Sequence, residues 1–136
     1  MPLKFYLPRS ALTTAKKWVY TQYGILFCIA YVWGMAMIVI EEKIITSYGR
    51  KNAQAREALK VWFAQVQLCT WSSHNDLLAD FATADYIGQG RYVFDIKGNH
   101  YRLVAQVLFS LKTVDIRRIM THAEYSKHSH QQLLDL

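Results

Sequence analysis

Cysteine is scarce in this sequence, and several common catalytic motifs are missing. The 136 residues include two cysteines, Cys28 and Cys69, which excludes a disulfide framework and a four-cysteine zinc site. No CxxC, GxGxxG, P-loop or HExxH pattern occurs, so the standard nucleotide-binding and metalloprotease classes are excluded as well. Apolar residues make up 52% of the chain and charged residues 19%. That composition is too apolar for a disordered protein, and the length fits one domain of about 100–150 residues.

The net charge of +6 is distributed unevenly along the chain. Residues 1–36 hold four bases and no acid, and residues 91–127 hold seven bases and three acids. A local excess of positive charge is either an electrostatic footprint for a polyanion or a solvated charged face. Charge alone favours the solvated face, so a polyanion partner needs further support.

A long apolar run precedes the main charged part of the chain. Trp18–Ile40 contains 23 residues without a charge, and a membrane-spanning helix needs about 20 such residues. The run therefore predicts an extra apolar helix near the N-terminus. It is longer than the apolar part of a signal peptide and has no clear cleavage site, which argues against secretion. Lysines and arginines flank the run on both sides in similar number, so they do not decide an orientation.

After Ile40 the pattern becomes that of an α+β domain. Helices are predicted over residues 41–50, 53–70 and 74–81. The second helix carries one apolar stripe at three- and four-residue steps, formed by Ala55, Ala58, Leu59, Trp62, Val66 and Cys69. Asn52 is predicted to cap this helix by accepting a hydrogen bond from its first turn. The Gly88-Gln89-Gly90 segment then breaks the helical pattern.

From Arg91 the apolar residues recur with a period of two, which is typical of half-buried strands. Three consecutive antiparallel strands are predicted over residues 91–97, 100–109 and 114–120. Gly98-Asn99 is a two-residue hairpin signal. With that loop, Asp95 lies opposite Arg102 and Phe94 lies opposite Leu103, so polar residues meet polar residues and apolar residues meet apolar ones.

The third strand is predicted to run directly into a terminal helix. Thr121 is followed three residues later by Glu124, which is the pattern of a capping box. This places the helix from His122 to about residue 133. Glu124 is therefore interpreted as the capping carboxylate rather than a catalyst.

At this point the residues resemble a known family. The segments YVFDIKGNHYRLVAQVLF, IRRIMTHAEYSK, EALKVWFAQVQLCTWSSHNDLLADF and IGQGR resemble the HigB family of bacterial toxin–antitoxin toxins, within the RelE/ParE superfamily. The resemblance covers about residues 37–128. It implies a RelE-like α+β fold with two to three N-terminal helices, a C-terminal helix and a short first strand at Met37–Ile40.

The resemblance also implies a function and partners. Members of the family are mRNA endoribonucleases that cut translated messages at the ribosome, and their partner is a helix-turn-helix antitoxin of the HigA type. Such an enzyme works in the cytoplasm without a cofactor or metal. The sequence alone supports the architecture and a basic sheet face, but it does not yield ribonuclease activity.

Metal-free RNA cleavage uses the neighbouring 2′-OH as nucleophile, with a base, an acid and cations that hold the phosphate. Arg102 and Arg117 are the candidates for phosphate binding. Lys97 is expected to bind substrate or assist proton transfer. The positive end of a helix disfavours imidazolium, so a neutral His122 is the candidate base. Tyr125 is expected to stack on a base or orient the 2′-OH.

Three further residues are expected to contact RNA, namely Lys127, Asn99 and His100. Several of the site assignments have a structural alternative. Arg102 would pair with Asp95 across the strands, Tyr125 would pack in the core, and Asn99 would form the turn.

Two other functions are compatible with the sequence. A toxin of the ParE kind poisons gyrase without being an enzyme, although the THAEY segment favours the ribonuclease. The run Trp18–Ile40 also allows a membrane-anchored interaction protein. We divide the chain into an apolar extension, residues 1–36, and a toxin domain, residues 37–136. The simplest hypothesis is that the functional product starts at or near Met37, and the alternative is a genuine single-pass anchor.

Overall fold

A computed structural model of the chain describes Val19–Tyr20, Leu26–Phe27 and residues 36–136. The two short N-terminal segments are strands β1 (Val19–Tyr20) and β2 (Leu26–Phe27), which pair antiparallel. The rest of the predicted extension, and most of the predicted apolar helix, lie outside the described residues, so that helix is unconfirmed. No helix in the described part of the chain is both long enough and apolar enough to cross a membrane.

The main sheet has five strands, in the order β3 (Ile38–Ile40), β7 (Thr113–Thr121), β6 (Tyr101–Leu108), β5 (Arg91–Ile96) and β4 (Asp85–Gly88). Adjacent strands of this sheet pair antiparallel, except that β3 runs parallel to β7. This arrangement confirms the predicted α+β class, the three consecutive antiparallel strands and the short N-terminal strand. The helices of the described part, in chain order, are α1 (Glu42–Lys51), α2 (Ala53–Leu68), α3 (His74–Asp80), α4 (His122–Tyr125) and α5 (His130–Leu134).

The predicted register between β5 and β6 is confirmed, because Asp95 lies opposite Arg102. The predicted two-residue loop is wrong. The strands end at Ile96 and resume at Tyr101, so the connection is the four-residue segment Lys97–His100. Lys97 and Gly98 adopt left-handed conformations with φ of 53° and 63°, which ends the strand one residue early. Lys97 consequently lies in the loop and not on the sheet face.

One strand, β4, was not predicted from the sequence. β4 is an edge strand of four residues that pairs with β5, whereas the sequence indicated only a helix break at residues 88–90. Gln89 and Gly90 both have positive φ, 51° and 74°, and they form the tight turn between the two strands. Four residues that end in a glycine are too short to show an alternating pattern.

The first face of the sheet is covered by α2, as predicted. Its Leu59, Trp62 and Val66 belong to one buried cluster with Phe94 and Leu103. The Trp62 and Phe94 rings meet edge to face, with centroids 5.2 Å apart. The predicted Asn52 cap is wrong, because its side-chain amide donates to the carbonyl of Tyr48 at 3.2 Å and caps the end of α1 instead.

The second face of the sheet is covered in its centre by the C-terminus. The prediction of one continuous helix from His122 to about residue 133 is wrong, because α4 ends at Tyr125. Ser129 then begins a second capping box and starts α5. Leu133 of α5 joins a second buried cluster with Val93, Val104 and Met120. The break therefore lets α5 lie across the sheet.

Candidate functional site

Two motifs that are separate in the sequence meet at one edge of the sheet. The loop Lys97–His100 lies against the start of α4, where the backbone N–H of His122 donates to the carbonyl of His100 at 2.9 Å. Lys97, Asn99, His100 and His122 are all exposed. The structure therefore brings an exposed cation, an amide and two imidazoles to one place. Such groups can bind an anion and move a proton.

The position of His122 follows from the capping box at the start of α4. The Thr121 hydroxyl accepts from the backbone N–H of Glu124 at 3.2 Å, and the Glu124 carboxylate accepts from the backbone N–H of Thr121 at 2.8 Å. The predicted capping box is thus confirmed. His122 is the first residue of the helix, immediately after the cap. The Glu124 carboxylate therefore has a structural role at the start of α4.

Arg102 lies beneath the loop and is buried, with 8% of its surface exposed. Its guanidinium pairs with Asp95 at 2.9 Å and also donates to the side-chain oxygen of Asn99 and to the Tyr101 carbonyl. A solvated Arg102 on an open polar face is what the alternation suggested, and that expectation is wrong. The cross-strand pair between Arg102 and Asp95 is present. Through its hydrogen bond to Asn99, Arg102 also holds the loop to the sheet.

The ring of Tyr125 lies against the Arg102 guanidinium. The Cζ atom of Arg102 is 5.9 Å from the centre of the Tyr125 ring, a distance at which a cation and an aromatic face attract. The ring also packs against the cluster around Val104 and Met120. Burial raises the pKa of Tyr125, the charge of Asp85 raises it further, and Arg102 opposes the shift. The phenol is therefore neutral at physiological pH and can donate a hydrogen bond.

Arg117 does not join this group. A bulge in β7 places it between the partners of Val104 and Ala105. Its guanidinium donates to the Gln106 side chain at 2.7 Å and pairs with Asp115 at 2.9 Å. Gln106 is four residues along β6 from Arg102, roughly 13 Å at strand spacing.

The remaining residue that is predicted to contact RNA, Lys127, lies near the site. Lys127 is exposed in the turn after α4, where its backbone N–H donates to the Glu124 carbonyl at 3.1 Å. Arg118 is a further exposed cation on β7 that was not among the residues predicted to contact RNA. The pair of adjacent bases was visible in the sequence, but the bulge that directs them was not.

The described residues include neither an activated thiol nor a candidate metal site. The Cys69 thiol is buried and donates to the Gln65 carbonyl at 3.1 Å. Burial, together with Asp80, raises its pKa far above the usual range, so this thiol is not an activated nucleophile. Over the stretches that the structure describes, no group of three or more histidine, cysteine, aspartate or glutamate side chains is arranged to hold a metal ion.

Comparison with known proteins defines the class. A protein-family model for the HigB toxin, described as a RelE-like toxic component of a toxin–antitoxin system, matches residues 55–128. The mRNA interferase toxin HigB of Escherichia coli (strain K12) is 30% identical over 92 residues, which cover 65% of this chain and 88% of that protein. The mRNA interferases HigB of Escherichia coli O157:H7 and Shigella flexneri match to the same extent. The chain therefore belongs to the HigB toxin family.

Proposed function

We propose that the protein is an mRNA endoribonuclease that inhibits translation as the toxin of a toxin–antitoxin system. The observation that carries the proposal is the meeting of the Lys97–His100 loop with His122, through the hydrogen bond between His122 and His100. Membership of the HigB family and the name mRNA interferase of its relatives support the substrate.

The proposed reaction is cleavage assisted by the 2′-OH of the RNA. His122 takes the 2′ proton, and the 2′ oxygen forms a bond to phosphorus while the bond to the 5′ oxygen breaks. Lys97 binds the phosphate and supplies a proton to the leaving oxygen. The products are a 2′,3′-cyclic phosphate and a 5′-hydroxyl. No metal or cofactor takes part in this scheme.

Arg102 and Tyr125 act from below the loop in this proposal. The Arg102 charge is fixed by Asp95 and Asn99, so it is preorganised to stabilise the negative charge that develops on the phosphate. The neutral hydroxyl of Tyr125 orients the 2′-OH or its base. Asn99 and His100 bind RNA at the loop.

Two bases outside the loop complete the proposed RNA contacts. Lys127 is exposed in the turn that follows α4, where it reaches the same strand of RNA. Arg117 contacts a flanking phosphate, because its pair with Asp115 and Gln106 holds it farther along the sheet.

The proposed partners are a helix-turn-helix antitoxin of the HigA type and the ribosome with its translated mRNA. Translated mRNA places the protein in the cytoplasm. We further propose that the toxin domain comprises residues 37–136. Met37 is buried at 3% exposure, and its N–H donates to the Cys69 carbonyl at 2.8 Å. Ile38–Ile40 pair with β7, so the domain uses its chain from this point onward.

Induced expression followed by mapping of transcript 5′ ends tests the function. The proposal predicts new ends within translated messages, and it predicts that they disappear in His122→Gln. The alternative gyrase poison predicts intact transcripts together with gyrase-linked DNA breaks, and that result would refute the ribonuclease. Co-expression of the open reading frame next to the gene tests the antitoxin, which should restore growth.

A further inference from the structure

The bulge in β7 gives the two adjacent arginines different surroundings on the second face of the sheet. Arg118 lies directly opposite Val104 on β6, and opposite residues of a ladder share a face. Val104 belongs to the second-face cluster, so Arg118 projects from that face as well. β3 pairs with β7 only through Thr113–Asp115. Within residues 36–136, no strand therefore flanks Arg118 on its other side.

Arg118 also differs from its neighbours in charge compensation. Arg102 has Asp95 as its partner, and Arg117 has Asp115. In the described part of the chain, no carboxylate pairs with Arg118 and no side-chain hydrogen bond engages its guanidinium. Its side chain is exposed. Arg118 is thus an exposed arginine of this face that has no partner for its charge among the described residues.

The register places this charge close to the proposed cleavage site. Arg102 lies opposite Met120, and Val104 lies opposite Arg118, so Arg102 and Arg118 are diagonal neighbours at about 7–8 Å. Arg118 precedes His122 by four residues, a separation of roughly 13 Å at strand spacing. These separations suit a phosphate next to the one that is cut.

We propose that Arg118 is a positioning residue that binds the phosphate adjacent to the scissile one. The proposal rests on the proposed ribonuclease function. The guanidinium grips the neighbouring phosphate in a charge-assisted pair and so holds the RNA strand across the edge of β7. Since it does not touch the reacting atoms, it contributes to substrate binding and not to the chemical step.

The binding experiment uses a fluorescein-labelled single-stranded RNA with 2′-O-methyl groups, which the proposed reaction cannot cut. Fluorescence polarisation gives Kd for wild type, Arg118→Ala, Arg118→Lys and Lys60→Ala over a range of KCl concentrations. Lys60 is an exposed base of α2, on the opposite side of the sheet, so its variant controls for loss of charge alone.

The Kd of Arg118→Ala is expected to be higher than that of wild type by about tenfold or more, because this variant loses one charge-assisted hydrogen bond. The slope of log affinity against log salt should fall by about 0.7, the value for one phosphate contact on a single strand. Arg118→Lys should recover most of the salt slope, and Lys60→Ala should match wild type. An unchanged Kd and slope for Arg118→Ala, an equal loss in Lys60→Ala, or no RNA binding by wild type would overturn the proposal.

Cleavage kinetics on translated mRNA separate this proposal from the function on which it rests. Arg118→Ala should raise KM and leave kcat near the wild-type value. A fall in kcat with no change in KM would overturn the positioning role. If wild type does not cleave at all, the proposed function fails, and the binding comparison alone then decides whether Arg118 holds a phosphate.

Discussion

The backbone N–H of His122 donates to the backbone carbonyl of His100 at 2.9 Å. This hydrogen bond ties the β5–β6 loop to the first residue of α4, although 22 positions separate the two residues in the sequence. Because the capping box fixes α4 and Arg102 fixes the loop through Asn99, both sides of the contact are held independently. The site is therefore built on the sheet and not on a loop alone.

Replacing His122 by glutamine should slow mRNA cleavage by about 10²–10⁴-fold, the loss typical of a general acid–base group. The side chain is exposed, so folding should be unaffected. Cleavage rates on translated mRNA check the prediction. His130→Gln, which changes an exposed histidine at the start of α5, is the matched control and should cleave like wild type. Equal rates in the two variants would remove His122 from the chemistry.

The two capping boxes offer a second matched pair. Thr121→Ala and Ser129→Ala each remove a capping hydroxyl, so each should lower the free energy of unfolding by about 0.5–2 kcal/mol. Only Thr121→Ala should also slow cleavage, because the first box positions His122. Urea denaturation and cleavage rates on the same preparations measure both effects. A comparable loss of cleavage in Ser129→Ala would show that stability alone is responsible.

Arg102→Ala should both abolish cleavage and destabilise the fold. The side chain is 10% exposed, and its loss leaves the Asp95 carboxylate without its ion pair. The expected decrease in the free energy of unfolding is about 1–3 kcal/mol, measured by urea denaturation. Lys127→Ala, an exposed control, should stay within about 0.5 kcal/mol of wild type.

A second variant separates the two roles of Arg102. Arg102→Lys keeps the charge beside Asp95, so it should be more stable than Arg102→Ala and retain part of the cleavage. If Arg102→Ala is as stable as wild type, the ion pair does not support the loop. If Arg102→Lys recovers stability but no cleavage, the guanidinium geometry is needed for the reaction.

Stability should fall at alkaline pH because of the tyrosines. Burial raises the pKa of Tyr125, and burial likewise raises the pKa of Tyr48 and Tyr92. A raised pKa stabilises the folded state below the ordinary tyrosine value of about 10, and this contribution is lost as the pH rises through the folded-state pKa. Urea denaturation on both sides of that pH should show the decline. Tyr125→Phe should decline less steeply, and an identical pH dependence would contradict the assignment.

The local parts of the site could be predicted from the sequence, whereas its long-range contacts could not. Alternating residues gave the register of Asp95 and Arg102, and the Thr121/Glu124 spacing gave the capping box, because both depend on neighbours in the chain. The burial of Arg102 could not be predicted. It depends on Tyr125 returning across the sheet and on Asn99 turning inward from the loop.

The larger differences between the predicted and the observed fold have similar causes. The sequence predicted one strand over residues 114–120 but did not locate the bulge at Arg117, which breaks the ladder and leaves Arg118 with its own orientation. After α4 ends at Tyr125, a second capping box at Ser129 starts α5, which the continuous helix prediction overlooked. The catalytic roles of the site residues stay predictions, which the variants above test.

The central claim is that His122 promotes attack by the RNA 2′-OH, and the chemistry of the cut ends tests it most directly. Purified protein is incubated with ribosomes that translate a defined mRNA, and the termini of the fragments are identified. The account predicts 5′-hydroxyl and 2′,3′-cyclic phosphate ends, and no cut when the nucleotide before the cleavage site carries a 2′-deoxy sugar. Fragments with 5′-phosphate ends, or cleavage that persists at the 2′-deoxy position, would contradict it.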